Sequence, residues 1–141
     1  NDIHLLTNLL KIYIRDLSEP LITRKYHSIF LACGEKNDLA RIYRLIDSLP
    51  IANRHTLAFL CIHFRKVART HENLMDFKGL ARILGPTIIS HACLNPTNTQ
   101  MYEDTRLQPI LMELLFGISD DYWNVILSNT DTSHTANKNG I

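Results

Sequence analysis

Seven histidines and three cysteines are the residue types in this sequence best suited to bind a metal or attack a carbonyl. Their spacing supports neither. Cys61 and His63 are two apart on a stretch that predicts a helix, so their side chains leave on different sides. His91 and Cys93 flank a turn and can chelate, but no two further ligands follow at the spacing a tetrahedral site needs. A Cys–His nucleophile also needs an orienting third group and an oxyanion site, and the sequence offers no support for either. Gly79 and Gly85 fit no phosphate-cradling loop. No cofactor is expected. What remains is a pair of cations. In "LLKIYIRDLSEPLIT" (residues 9–23), Lys11 and Arg15 lie one helical turn apart in an otherwise apolar run. Two fixed cations on a rigid helix suit an acidic or carbonyl-rich surface and speed encounter with it. They also suit a solvated strip that meets the negative pole of the helix C-terminus. The residues alone leave both open.

The elements that must position these cations are helices. Ile3, Leu6, Leu10, Tyr13 and Leu17 repeat every three or four residues, predicting a first helix over 2–17. Leu5, Leu9 and Ile12 broaden its apolar face until only His4, Asn8, Lys11 and Arg15 remain as a polar line. That pattern predicts burial on most of the circumference. Pro20 forces the helix to stop near Leu17 or Ser18, and Pro20-Leu21-Ile22 reads as an extended plug burying two side chains. Thr23 is placed to cap a helix over 24–33, with Tyr26, Phe30 and Leu31 inward. Asn37 or Asp38 opens a third over 38–48, which Pro50 ends.

A fourth helix, 53–69, is predicted to be the longest and central, with Phe59 and Ile62 widening its apolar face. Asp76 caps a fifth over 77–84, ended by Gly85-Pro86. Residues 92–102 are polar and turn-rich, predicting a loop before a sixth helix over 104–116 that starts or kinks at Pro109. A short seventh runs from Asp120 or Asp121 to Leu127. Residues 128–141 hold too little apolar surface to offset their ordering entropy and are expected to be a disordered polar tail.

Composition fits an all-α globular chain. Of 141 residues, 45% are hydrophobic and 21% charged, and the net charge is +1. A balance so close to neutral gives no general drive toward nucleic acid or an anionic membrane surface, so an electrostatic partner is recognised by a local patch. No apolar stretch approaches the ~20 residues of a membrane span. Cys33, Cys61 and Cys93 are unpaired in number and far apart, and read as reduced core thiols of a cytosolic or nuclear protein.

Three blocks in order carry a family resemblance: "LLKIYIRDLSEPLIT", "LPIANRHTLAFL" and "MDFKGLARILGPTII". They resemble the signature blocks of the RhoGAP domain, which stimulates GTP hydrolysis by Rho-, Rac- and Cdc42-type GTPases. The resemblance covers about residues 1–127. "NDIH", "ANRHTLAFLCIHFRKVA", "GPTIISHACLNPT" and "DDYW" are similar to one branch of that family, the male germ cell Rac GAPs that form the GAP subunit of centralspindlin.

The resemblance implies an all-helical RhoGAP bundle and a Rho-family GTPase partner, Rac or Cdc42 type, in its GTP-bound state. Lys11 and Arg15 match the family's Lys-x-x-x-Arg block, which faces the GTPase switch regions and supports the interface. Pro109 matches a proline that touches the GTPase. At Gly79 the family has an asparagine that bonds across the interface; glycine has no donor or acceptor to replace it, and a helix-interior glycine costs about 1 kcal/mol against alanine. Arg82, one turn on, offers a different contact. Leu84 replaces a family phenylalanine as a core swap.

The family's catalytic arginine sits in a Gly-x-x-Arg-x-Ser-Gly loop before the first helix, and no such loop occurs in residues 1–141. An arginine finger is worth roughly 10³–10⁵ in rate, or about 4–7 kcal/mol. The expectation is therefore a C-terminal portion of the domain: a GTPase activator rather than an enzyme, with no catalytic residue of its own. Apolar faces of its first and fourth helices are expected to be uncovered where upstream helices pack in the family. The branch further implies cytokinesis or germ-cell differentiation as the setting. It also implies a cytoplasmic, spindle-midzone, cleavage-furrow or midbody location, and a kinesin-like centralspindlin partner acting through regions outside this chain. Two other readings stay open: a binding-only pseudo-GAP, and a plain helical scaffold.

Overall fold

The computed structural model describes residues 2–70 and 76–128, with the side chains of residues 2–4, 6, 7 and 15 outside that description. The described part is all-helical. The order is α1 (Asp2–Arg15), α2 (His27–Glu35), α3 (Leu39–Ser48), α4 (Ile51–Arg69), α5 (Phe77–Ile88) and α6 (Asn98–Gly117). A further helix, α7, spans 120–128. The polar tail expected from 128 onward lies outside the described residues from 129.

The acidic caps act as their chemistry dictates. Asp38 accepts the Arg41 N–H at 3.2 Å and Asp76 the Gly79 N–H at 2.9 Å, each satisfying an orphan donor of the first turn. Thr23 does not cap α2. Tyr26 holds that position without a side-chain bond, and the Thr23 hydroxyl instead accepts the Tyr26 N–H at 3.3 Å within the turn before the helix.

One hydrophobic core gathers residues of all seven helices, with Phe30, Phe64, Phe116 and Trp123 among its largest fully buried side chains. The central element is α6, which packs on α5, α2 and α4, and at 20 residues it is longer than α4 at 19. Two glycines let its neighbours approach. A Cβ at Gly34 would stand 3.1 Å from the Leu111 Cα, and one at Gly85 would stand 3.2 Å from the Gln108 carbonyl oxygen. A side chain at either place would push the α6 backbone back by a few tenths of an ångström.

Four departures from the pattern-based expectation have physical causes. First, α6 begins at Asn98, six residues before the expected start, because Thr97 and Gln100 form a capping box at 3.1 and 2.8 Å. Its first two turns are largely exposed and carry no apolar period to detect. Second, α5 runs through Pro86 to Ile88. Proline in a helix interior costs about 3 kcal/mol. Ile88 and Ile89 are both fully buried, and at about 1.5–3 kcal/mol each their burial outweighs that cost. Third, α1 ends at Arg15, and Asp16 and Leu17 close a tighter turn onto the Tyr13 and Ile14 carbonyls.

Fourth, the predicted burial of α1 does not hold. Leu10 and Ile14 face the core, while Leu5 and Ile12 are 60% exposed and Leu9 and Tyr13 54%. Phe59, expected to widen the buried face of α4, is 63% exposed and stacks on His63. Apolar side chains of both helices are thus exposed. Cys93 is likewise exposed, whereas Cys33 and Cys61 are core thiols. No helix among the described residues is long and apolar enough to cross a membrane.

Candidate functional site

The stop after α1 shapes the site. Leu21 and Ile22 are buried, so the plug forms, but as a turn closed by the Thr23 N–H on the Pro20 carbonyl at 2.8 Å rather than as an extended segment. Arg24 ties the turn from outside. Its guanidinium donates to the Ser18 carbonyl at 2.8 Å, and its N–H donates to the Glu19 carboxylate at 2.7 Å. Asn53 of α4 donates to the Leu21 carbonyl at 2.9 Å, fixing the plug to the bundle. Thr23 sits at φ 66°, a costly conformation for a β-branched residue.

This rigid corner forms one side of an open concavity of about 460 Å³. Lys11, exposed on α1, lines it together with Pro20, Pro86, Thr87 and His91. Arg15 is the last residue of α1, one turn beyond Lys11, and its side chain lies outside the described residues. A second concavity, about 680 Å³, lies between α5 and α6 and is lined by Lys78, Arg82, Pro109, Ile110 and Glu113.

The structure brings Arg82 and Pro109 together, and keeps Lys11 apart from them in the first concavity. What joins the two is α5 itself. Lys78, Arg82 and Pro86 stand four residues apart along one exposed stripe, with the cations toward one concavity and the proline in the other. Pro86 has no N–H for the Arg82 carbonyl, so that oxygen is left without its helical donor midway along the stripe.

Gly79 lines neither concavity. It occupies the third position of α5, where its N–H meets the Asp76 cap, so it is a first-turn residue and not the helix-interior glycine its sequence context implied. Residues that pattern reasoning missed are Lys78, Pro86 and the 90–94 loop. The i, i+4 spacing of Lys78 with Arg82 was a signal available in the sequence; the loop had none.

The reactive side chains have other work. His91 Nδ1 lies 2.7 Å from the Asp104 carboxylate, tying the loop to α6. Burial pushes the Cys61 thiol far above its ordinary range, outweighing the opposing effect of Arg65, so it is inert packing. Among the described residues no group of three or more His, Cys, Asp or Glu side chains is placed to hold a metal ion.

The described residues thus form an all-helical bundle that leaves Lys11, Lys78 and Arg82 exposed. The RhoGAP domain model matches residues 1–92, and the chain belongs to that family, whose members activate GTP hydrolysis by Rho-type GTPases. It is 38% identical over 128 residues to Rac GTPase-activating protein 1 of Mus musculus, covering 88% of this chain and 20% of that protein. It is 34% identical over 124 residues to N-chimaerin of Mus musculus, covering 84% of this chain and 27% of that protein. It is 33% identical over 119 residues to Rho GTPase-activating protein 21 of Mus musculus, covering 79% of this chain and 6% of that protein. The first of these is consistent with the Rac GAP branch. The chain spans about a fifth of that relative's length.

Proposed function

We propose that this chain docks a Rho-family small GTPase of Rac or Cdc42 type in its GTP-bound state, as the docking part of a GTPase-activating domain. The observation that carries the reading is the exposure of Lys11 in a concavity walled by the Ser-Glu-Pro-Leu turn and the end of α5, two of the family's signature blocks. Lys11, exposed on α1, and Arg15, one turn on, offer positive charge to an acidic switch surface. Arg82 and Pro109, which both line the second concavity, extend the contact, and Gly79, which lines neither, takes the place of an interface asparagine.

None of these groups does the chemistry. Charge developing on the transferred phosphoryl group needs an arginine finger. No Gly-x-x-Arg-x-Ser-Gly loop occurs in residues 1–141, so stimulation depends on an arginine from outside them. The chain's own residues bind the GTPase and orient it. The setting we infer from the branch is cytokinesis or germ-cell differentiation, in the cytoplasm and at the spindle midzone, cleavage furrow or midbody. A kinesin-like centralspindlin partner is reached through other regions.

A second reading, docking without stimulation, is favoured by Gly79, which has no side chain to stand in for the interface asparagine. Single-turnover hydrolysis with the complete protein separates the two. Stimulation that is lost with the finger arginine supports the activator, and docking without stimulation supports the pseudo-GAP. Gly79→Asn in the same protein is expected to raise stimulation by about tenfold, the worth of one interfacial hydrogen bond to a charged group. No change, or a fall, would mean the asparagine's role does not transfer to this chain.

A further inference from the structure

Among the described residues only three polar side chains are buried in the core: Thr23, His27 and Gln108. Thr23 serves the turn beside Lys11. The other two converge on one atom. His27 Nε2 stands 2.7 Å from the Ser90 carbonyl oxygen, and Gln108 Nε2 donates to the same oxygen at 3.0 Å. One donor comes from the start of α2 and the other from the middle of α6, and they are 2% and 1% exposed. A carbonyl has two lone pairs, and here both are met by side chains reaching through the interior.

Their target is unusual. Ser90 follows α5 with φ 56°, a left-handed conformation that a serine abandons unless its surroundings impose it. That φ sets the direction of the chain that follows. His91, Ala92, Cys93 and Leu94 then line the concavity that holds Lys11. Leu94 is 87% exposed, the most exposed large apolar side chain among the described residues, and it lines the same concavity as Lys11. Leucine and methionine would fill the interior sites of His27 and Gln108 without the cost of burying polar groups. What the two donors add is a fixed carbonyl, and hence a fixed loop.

We propose that His27 and Gln108 are positioning residues for GTPase docking. By donating together to the Ser90 carbonyl they hold Ser90 left-handed, and so shape the 90–94 wall that presents Leu94 to the partner. This rests on the docking reading above.

The test uses the full chain and a Rac-type GTPase loaded with a non-hydrolysable GTP analogue, with two readouts: amide hydrogen exchange at residues 91–95, which needs no GTPase, and the docking Kd. His27→Leu and Gln108→Met should each speed exchange at 91–95 by about tenfold or more, as a loop freed of its tether does. Each should weaken docking by about fivefold or more, the cost of ordering that loop on binding. His27→Gln, which keeps a donor near the Nε2 position, should stay within about twofold on both readouts. Should His27→Leu fail to fold, Ser90→Val decides from the other side. It leaves both donors in place but disfavours the left-handed φ, and should weaken docking by a similar factor, while Ser90→Gly should not. Folded variants with unchanged exchange overturn the clamp. Faster exchange with unchanged docking overturns its role in recognition, provided Lys11→Glu weakens docking in the same assay. If Lys11→Glu also leaves docking intact, it is the docking reading that fails, and exchange alone still judges the clamp.

Discussion

Replacing Pro86 with alanine tests whether core burial, not local propensity, carries α5 past its proline. Pro86 is exposed, so the substitution removes little packing, and it supplies an N–H for the Arg82 carbonyl. A proline in a helix interior costs about 3 kcal/mol against alanine. Freeing the unfolded chain of its proline returns about 1 kcal/mol of entropy to the competing state. The difference is a gain of up to about 2 kcal/mol, or some 5–8 °C in Tm for a domain near this size. Urea unfolding followed by far-ultraviolet circular dichroism, with the slope checked for constancy, reads it directly. A loss of stability would refute the reasoning. It would mean that the proline's bend is itself required to seat Ile88 and Ile89, and that the two isoleucines do not simply overpower an unfavourable residue.

Other consequences are smaller. Thr97→Ala removes one half of the capping box that starts α6 and should cost about 1 kcal/mol in the same unfolding measurement, with Gln100→Ala giving a comparable loss. Burial raises the Asp120 pKa, but hydrogen bonds from Arg69 and Arg65 outweigh it and hold the carboxylate below its usual range. Its stabilisation is therefore fully present above the unfolded-state pKa of about 3.9 and is lost as pH falls through the lower folded value. Asp120→Asn should lower stability at neutral pH and flatten the decline seen below about pH 4 in a stability–pH series. An unchanged acid limb would remove Asp120 from that account.

How much was legible in the residues follows from which physical signals are local. Asp38 and Asp76 declare their helices because a short carboxylate on the N-terminal side of an apolar period has one favourable use. The plug at Leu21 and Ile22 is legible for the same reason, since proline fixes where the chain must leave the helix. The continuation through Pro86 was not, because it depends on the burial of Ile88 in a core that several helices build, a long-range fact. The exposure of Leu5, Leu9 and Ile12 was hidden similarly: periodicity reports which side chains share a face, never what stands opposite. At the candidate site, Lys11 was singled out by type and spacing, and Arg82 by its place one turn beyond Gly79 in a family block. The 90–94 wall was not, because its shape comes from His27 and Gln108, which are 63 and 18 residues from Ser90 in sequence.

The central claim is that the exposed cation of α1 meets a small GTPase. The most direct measurement is the Kd of the complete protein for a GTP-analogue-loaded Rac-type GTPase, with and without Lys11→Glu, at two salt concentrations. Reversing one interfacial charge should weaken docking by at least about tenfold, slow association, and reduce the dependence on salt. An affinity and salt dependence indistinguishable from the unsubstituted protein would contradict the account.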